Sequence, residues 1–253
     1  MSGGWLRVVG LGPGSAGLLV PEAAAWLAQA SDLVGYAPYI ARVTQTEGQI
    51  RHASDNREEL ARARHALAMA ADGRRVAVVS GGDPGVFAMA SAVFEALEAG
   101  PVAWRALDIA VVPGISAMFA AAARLGAPLG ADFCAISLSD NLKPWPVLEA
   151  RLRAVAGAGL VIALYNARSQ ARPDLLGQAF DVLRDVLPGR VPVVLAHSIS
   201  RPEERLETST LADIDPTRAD MRTLVLIGTE ATRVIERPDA APFLYAPRFV
   251  EAR

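Results

Sequence analysis

The sequence is poor in several residue types, and each shortage excludes a class of protein. Cys134 is the only cysteine among 253 residues, which excludes a disulfide framework within the chain and a thiolate zinc cluster. The three histidines, His52, His65 and His197, lack the spacing of metal ligands, so we expect no metal site. Lys143 is the only lysine, and arginine therefore supplies nearly all the positive charge.

Long apolar runs and basic blocks are also missing. The apolar runs are interrupted by Gly, Pro or Arg, so we expect no membrane span. The N-terminus lacks the basic and apolar regions of a signal peptide, which predicts a cytoplasmic protein. The formal net charge is -2 and no basic block stands out, which argues against a nucleic-acid partner. With 52% hydrophobic residues, the chain can bury one large core or two smaller, closely packed ones.

Short β-rich runs alternate with longer stretches of helical periodicity. Continuous Val/Ile/Leu runs between helices are typical of parallel sheets that helices cover on both faces. We therefore predict an α/β fold of two αβα halves with mainly parallel sheets, spanning residues 1–125 and 126–253 with a hinge at 126–132. The predicted strands are residues 6–10, 32–35, 75–79, 109–112, 133–138, 160–165, 191–196 and 223–227, and the predicted helices are residues 20–30, 55–71, 86–97, 116–125, 146–155 and 174–187.

A glycine-rich loop, GLGPGS at residues 10–15, follows the first predicted strand and precedes a helix. It differs from a dinucleotide-binding loop, because Ser15 stands where the third glycine is needed and Pro13 lacks an N–H for a pyrophosphate. Asp32 also lies at the start of the second predicted strand instead of at its end, and no P-loop is present. The loop therefore suits a ligand without phosphate, such as S-adenosylmethionine (SAM), although a plain strand–helix turn has the same pattern.

Two more glycine-rich segments occupy equivalent positions. The sequence is SGGDPGVF at residues 80–87 and PGISA at residues 113–117, and each segment follows a strand and opens a helix. Because open α/β sheets bind ligands at the carboxyl ends of their strands, three such turns at one edge predict a single ligand crevice. Asp83 offers an acceptor to a ligand amine or hydroxyl. Asp83 and Ser116 are also residue types that cap helices, so a structural role at the start of the following helix stands beside a ligand-binding role.

In this order and spacing, the segments at residues 9–14, 81–84 and 113–117 resemble the three signatures of the tetrapyrrole (corrin/porphyrin) methylases, and the resemblance covers essentially the whole chain. It implies the class III methyltransferase fold, SAM as cofactor with S-adenosylhomocysteine as product, a tetrapyrrole substrate and a homodimer. Two positions depart from the family pattern, Ala167 where a proline is expected and Gly82 where a serine is expected. Segments similar to the members that methylate precorrin-3B at C17, with ring contraction to precorrin-4 in cobalamin biosynthesis, lie at residues 34–40, 125–133, 136–145, 163–169 and 226–229.

The resemblance also implies which residues form the site, with SAM in the cleft between the halves. The implied cofactor-binding residues are Pro13, Gly81, Gly82, Asp83, Val86, Ser116, Ala117, Asn166, Ser198, Arg222 and Thr223. Ring contraction requires a general base and an acid; the catalytic residue stays open among the candidates Tyr36, Tyr39, His52 and Asp140. The candidates for binding substrate carboxylates through bidentate pairs are Arg42, Arg57, Arg168 and Arg172.

Three alternatives stay open. The chain could be a sibling corrin methyltransferase that acts at another carbon or on the cobalt-containing substrate of the anaerobic route. It could be a methylase of the same fold that acts on a protein or RNA, although the segments at residues 36–39 and 137–145 argue against this. It could be a non-enzymatic nucleotide-binding module, although the absence of phosphate-binding fingerprints argues against that interpretation.

Overall fold

The computed structural model describes residues 3–55, 58–139, 143–169 and 171–249. The chain divides into two compact units, residues 1–116 and 117–253. The helix Ala117–Leu125 belongs to the second unit, so this division lies earlier in the chain than the boundary expected from the sequence. In the described ranges, no helix combines the length and apolar character needed to span a membrane.

The first unit contains a five-stranded sheet in the order β3-β2-β4-β1-β5, and all its strand pairs are parallel. This confirms the predicted parallel sheet for the first half. Single 3-10 turns occur at Ala16–Leu18 and Val102–Ala106. The main elements in chain order are β1 (Trp5–Gly10), α1 (Pro21–Gln29), β2 (Asp32–Tyr36), α2 (Ala37–Ile40), β3 (Ile50–Ser54), α3 (Glu59–Ala71), β4 (Arg75–Ser80), α4 (Met89–Ala99) and β5 (Asp108–Val112).

Helices cover both faces of this sheet. Successive side chains of a strand point to opposite faces, and β1 follows this rule. Leu6 and Val8 pack in one apolar cluster with residues of α3 and α4. Trp5 and Val9 pack in a second cluster with residues of α1. The first unit is therefore the predicted αβα sandwich.

The second unit contains a five-stranded mixed sheet in the order β10-β9-β11-β8-β7. Only β7 and β8 pair in parallel, and the other three pairs are antiparallel. The prediction of a mainly parallel sheet is therefore wrong for this half. Its elements are α5 (Ala117–Leu125), β6 (Gly126–Ala127), β7 (Phe133–Ser137), α6 (Trp145–Gly157), β8 (Val161–Tyr165), α7 (Leu175–Arg184), β9 (Pro192–His197), β10 (Arg205–Thr210), β11 (Thr223–Ile227), β12 (Arg233–Arg237) and β13 (Ala240–Tyr245).

The strand directions were predicted wrongly because an apolar run in the sequence indicates burial and not direction. Strands β9 and β11 are central and buried along nearly their whole length. Such a run reports burial on both faces, and it carries no information on whether the neighbouring strand is parallel or antiparallel.

Helices α6 and α7 supply the main core of the second unit. Leu152 of α6, Leu164 of β8 and Phe180 of α7 are completely buried in one apolar cluster. A separate three-stranded sheet has the order β12-β13-β6, with β13 antiparallel to β12 and parallel to β6. The fold class predicted from the sequence, α/β in two halves, is confirmed.

Helices α3 and α4 begin later than predicted, α3 at Glu59 instead of Asp55, and the cause is visible at α4. The periodicity placed its start at Val86, but α4 begins at Met89. Phe87 has a φ of 52° and Ala88 is extended, and neither conformation can belong to a right-handed helix. Residues 83–88 therefore form a turn that separates β4 from α4.

Candidate functional site

Three glycine-rich turns lie at the carboxyl edge of the first sheet. The first glycine turn (residues 10–14) follows β1, the second glycine turn (residues 81–85) follows β4, and the third glycine turn (residues 113–116) follows β5. Because β1 lies between β4 and β5 in a parallel sheet, the three turns are neighbours. The structure thus brings together the three segments that the sequence singled out.

The three turns contact one another through backbone atoms. Gly12 N–H donates to the Gly82 carbonyl at 3.2 Å, and Gly82 N–H donates to the Gly12 carbonyl at 2.9 Å. A Cβ atom on Gly114 would lie only 2.2 Å from Gly82 O and 2.9 Å from Gly10 Cα. Glycine is required at position 114 because the turns approach each other this closely, a reason that the sequence pattern did not reveal.

Gly82 has a different environment. Its φ is 66°, and the atoms nearest to a Cβ built on it are 3.9 Å away. This side of the second glycine turn therefore has room for a ligand to approach the backbone.

Asp83 connects the second glycine turn to the third. Its Oδ1 accepts the Gly85 N–H at 2.8 Å, and its Oδ2 accepts the Gly114 N–H at 3.0 Å. Both carboxylate oxygens are thus engaged with backbone amides. The sequence suggested that Asp83 caps a helix. In the structure it forms one hydrogen bond within its own turn and one to the third glycine turn.

Two of the arginines expected to bind substrate carboxylates bind backbone carbonyls instead. Arg42 Nη2 donates to the carbonyls of Leu11 and Gly12, both at 2.9 Å. Arg168 donates to carbonyl oxygens of its own unit, those of Pro173, Thr217 and Ala219. Arg172 Nη1 donates to Ser139 Oγ at 3.2 Å, and Arg57 lies outside the described residues.

Tyr36 and Tyr39 lie at the carboxyl end of β2. Their rings are 5.5 Å apart between centroids and meet edge to face, with an interplanar angle of 89°. The Tyr39 ring also contacts the second glycine turn, because a Cβ atom on Gly81 would lie 2.8 Å from Tyr39 Cζ and 3.0 Å from its hydroxyl oxygen. Among the described catalytic candidates, Tyr39 therefore has its hydroxyl group beside a glycine turn.

His52 occupies a different place. Its Nε2 lies 2.8 Å from Oδ1 of Asp32, which is completely buried and also binds Arg74 at 2.5 Å. His65 Nε2 lies 3.4 Å from His52 Nδ1. Asp32 is the first residue of β2, so this ion-pair cluster holds the amino end of the strand, away from the turns. Asp140, the remaining candidate, lies outside the described residues.

The other expected cofactor residues of the first unit flank the turns. Pro13 and Ser116 are buried, and Val86 is half-buried with its N–H donating to the Asp83 carbonyl at 3.2 Å. Ala117 opens α5 and belongs to the second unit.

Four expected cofactor residues share one edge of the second sheet. Asn166 directly follows β8, and Ser198 directly follows β9. Because β11 runs antiparallel to both strands, its first residue Thr223 pairs with His197 at the same edge. Ser198 N–H donates to the Arg222 carbonyl at 3.0 Å.

Two of these side chains already have partners. Asn166, with a φ of 54°, donates through Nδ2 to Ser137 Oγ at 2.9 Å. Thr223 Oγ1 donates to Asp220 Oδ1 at 2.8 Å. Burial alone would raise the pKa of Asp220, but the hydrogen bonds from Thr223, the Arg222 N–H and His197 lower it.

The sequence interpretation missed one functional candidate at this edge, Ser200, which lies close in the chain to the expected residue Ser198. Ser198 Oγ and Ser200 Oγ are buried and have no hydrogen-bond partner among the described residues. A buried hydroxyl without a partner costs free energy, so this pair points to a ligand that completes its hydrogen bonds. Ser200 could not be recognised, because neither a glycine nor a known motif marks this loop.

Lys143 is a second residue that the sequence did not connect with the site. Its Nζ donates to the Ser137 carbonyl at the carboxyl end of β7, at 3.0 Å. Burial and the nearby Arg151 lower the pKa of Lys143. In the part of the chain that the structure describes, no group of three His, Cys, Asp or Glu side chains is arranged to hold a metal ion.

The fold and the turns together define an α/β protein with three glycine turns at the carboxyl edge of a parallel sheet, the edge at which open α/β sheets bind ligands. Comparison with known proteins narrows this class. A family model, Tetrapyrrole (Corrin/Porphyrin) Methylases, matches residues 6–215. The chain belongs to this family.

Individual relatives agree with the family match. A precorrin-3B C(17)-methyltransferase of Sinorhizobium sp is 55% identical over 246 residues, which cover 97% of both chains. A probable cobalt-factor III C(17)-methyltransferase of Salmonella typhimurium is 40% identical, over 90% of this chain and 94% of that one. The crystal structure of the methyltransferase CobJ superposes with a TM-score of 0.91 at 52% identity, covering 96% of this chain and 100% of that chain.

Proposed function

We propose that this protein transfers the methyl group of SAM to C17 of precorrin-3B and contracts the ring to give precorrin-4, a step of cobalamin biosynthesis. The observation that carries this proposal is the 55% identity, over 97% of both chains, to a relative that bears this activity in its name. Methylases of the matched family depend on SAM. The cobalt-containing substrate is the second candidate, supported by the 40% identical relative.

Local features of each unit support SAM as the cofactor. SAM has no phosphate, and Pro13 leaves the first glycine turn without one of the N–H groups that a phosphate would need. Gly82 offers an open backbone face, and the Ser198 and Ser200 hydroxyls lack partners among the described residues. The adenosine and methionine portions together offer amine, hydroxyl and ring-nitrogen groups to such partners.

The proposed cofactor contacts follow from these positions. Gly82 and Val86 would contact the cofactor from the first unit, and Asn166 and Ser198 from the second. A position of SAM between the two halves remains part of the proposal. When bound, SAM supplies an already activated methyl group, so the residues of this chain have mainly to align donor and acceptor.

Ring contraction needs proton transfer as well. A base must take the proton of a ring hydroxyl as its carbon becomes a ketone. The ring bond broken at this carbon re-forms at the neighbouring carbon, and the electron pair displaced there passes into the conjugated ring system, which an acid protonates. The Tyr39 hydroxyl lies against the second glycine turn, whereas His52 is engaged with Asp32. We therefore propose Tyr39 before Tyr36 as the proton-transfer residue.

The experiment that tests the proposal uses two substrates. The purified protein is incubated with SAM and either precorrin-3B or cobalt-factor III, and the products are analysed by mass spectrometry and NMR. We expect a methyl group at C17 and a contracted ring from precorrin-3B. Faster turnover of cobalt-factor III would transfer the assignment to the second candidate, and methylation at another carbon would contradict both.

The proposal extends to the assembly and location of the protein. We propose a homodimer in the cytoplasm that acts on a small molecule, without nucleic-acid or membrane partners. Light scattering should give twice the chain mass of 26.6 kDa, and cell fractionation should place the protein in the soluble fraction. A mass of one chain would contradict the dimer.

A further inference from the structure

We infer that Asp83 and Arg42 are positioning residues, which hold the three glycine turns in the arrangement that binds the cofactor. Asp83 then acts on the cofactor through the Gly114 turn and is not itself a cofactor ligand. The inference rests on the proposed function, because it concerns the same SAM site.

The contacts of Asp83 show how it can act in this way. One carboxylate oxygen accepts Gly85 N–H within its own turn, and the other accepts Gly114 N–H from the third turn. Hydrogen bonds to an ionised acceptor are stronger than those between neutral groups. The Asp83 carboxylate therefore fixes the distance between the second and third glycine turns.

Arg42 does the same for the first glycine turn. A single guanidinium nitrogen donates to two consecutive carbonyls, those of Leu11 and Gly12. The Gly12 carbonyl also accepts the Gly82 N–H at 2.9 Å. Arg42 therefore fixes the peptide that joins the first turn to the second.

A continuous path of contacts results, from Arg42 through Gly12 and Gly82 to Asp83 and Gly114. Because backbone atoms meet directly at Gly82 and Gly114, a displacement of one turn displaces its neighbours. A ligand that contacts any of the turns gains affinity from this preorganisation. Arg42 and Asp83 should thus affect the same binding step although they lie at opposite ends of the path.

The experiment measures two probes by calorimetry on the full-length protein. S-adenosylhomocysteine contains the amino-acid portion of the cofactor, and 5′-methylthioadenosine lacks it. We expect Asp83→Asn and Arg42→Met each to weaken both probes by a similar factor, about tenfold, as the loss of a charged hydrogen bond implies. The double variant should lose less affinity than the product of the two single losses, because both substitutions disrupt the same set of connected turns.

Two further variants separate positioning from a general loss of structure. Arg42→Lys keeps the charge and a donor, so it should recover part of the affinity that Arg42→Met loses. Arg184→Met is the matched control, because Arg184 donates to the Leu211 carbonyl at 2.9 Å in the second unit. The Arg184→Met variant should bind both probes with wild-type affinity, and any loss of stability should appear as a lower melting temperature.

The possible outcomes are distinct. If Asp83→Asn weakens only S-adenosylhomocysteine, Asp83 is a direct ligand of the amino-acid portion and the inference is wrong. Independent losses that multiply in the double variant would also overturn it. If the wild-type protein binds neither probe, the proposed function fails; if the wild type binds and all variants bind equally well, this inference alone fails.

Discussion

The ring of Tyr39 occupies the space that a side chain at position 81 would need. A Cβ atom on Gly81 would lie 2.8 Å from Tyr39 Cζ and 2.9 Å from Tyr39 Cε1. Among the described residues beyond the immediate chain neighbours, the three nearest atoms all belong to Tyr39, so any side chain at position 81 would have to displace this ring. A family motif here reflects packing between α2 and the second glycine turn.

Gly81→Ala should therefore weaken binding of S-adenosylhomocysteine, and adding Tyr39→Ala should restore part of it. The methyl group forces the ring to move, and overpacking of this kind costs about 1–3 kcal/mol. Calorimetry on the single and double variants checks this. Weaker binding by the double variant than by Gly81→Ala would show that steric conflict is not the cause.

Gly114→Ala should be more damaging, because the atoms that its Cβ would meet belong to the backbone. The contact of 2.2 Å with Gly82 O can be relieved only if a whole turn shifts. We expect a loss of about 3 kcal/mol in the free energy of unfolding, measured by urea denaturation, together with loss of cofactor binding.

Gly157→Ala is the matched control for this substitution. Gly157 ends α6, and a Cβ atom there meets nothing within 4 Å. Because alanine favours a helix over glycine, the variant should be unchanged or more stable by up to about 1 kcal/mol. Equal losses in Gly114→Ala and Gly157→Ala would contradict the packing argument.

The cluster around Asp32 predicts that His52 contributes to stability and not to catalysis. Asp32→Asn should cost about 3 kcal/mol, because it leaves the partners of a completely buried carboxylate uncompensated. His52→Gln should lower the melting temperature while the rate of ring contraction per folded molecule stays at the wild-type value. A stable His52→Gln protein that methylates but cannot contract the ring would restore His52 as the base.

The ion pair between Arg7 and Asp108 predicts a defined pH dependence. Arg7 donates to both carboxylate oxygens of Asp108, at 3.0 and 2.7 Å, and these bonds hold the pKa of Asp108 below its usual value. A carboxyl with a lower pKa in the folded state stabilises the protein above its unfolded pKa of about 3.9. This stabilisation is lost as the pH falls through the lower, folded value.

Asp108→Asn should therefore reduce the free energy of unfolding at neutral pH, and the difference should shrink in acid. The side chain of Asp108 is 63% exposed, so solvent screening limits the effect to about 1 kcal/mol or less. Urea denaturation of both proteins near pH 7 and near pH 3 measures it. The same difference at both pH values would show that the effect comes from packing alone.

The central strands of both five-stranded sheets could be predicted from the sequence, and so could the edge strands β5 and β7. The other two edge strands and the three-stranded sheet could not. Strands β3 and β10 were missed, and each lies at the edge of its sheet. Their side chains are mostly half-buried or exposed, so no apolar run marks them. Residues 192–197 and 223–227 were recognised as strands because they are buried, but burial does not reveal direction.

At the candidate site, too, some features could be predicted from the sequence and others could not. The three turns and Asp83 were visible because glycine and proline mark strand–helix turns. The role of Arg42 was not, because it binds carbonyls about thirty positions earlier in the chain, and only the arrangement of α2 beside the first glycine turn creates that contact. Likewise, nothing in the sequence shows that Gly114 meets Gly82, since the two turns follow different strands.

The strand order of the first unit also determines when the edge that carries the three glycine turns can form. Strand β1 is made first, but its neighbours in the sheet are β4 and β5, while β2 and β3 lie beyond β4. A nascent chain therefore cannot pair β1 until residues 75–80 have been synthesised, and the two backbone hydrogen bonds between Gly12 and Gly82 form only after Gly82 follows. Pairing between segments far apart in the chain forms slowly, because conformational entropy is lost before the new contacts stabilise the structure. The edge becomes complete only with residue 114, so the three glycine turns can assemble only when nearly all of the first unit has been synthesised.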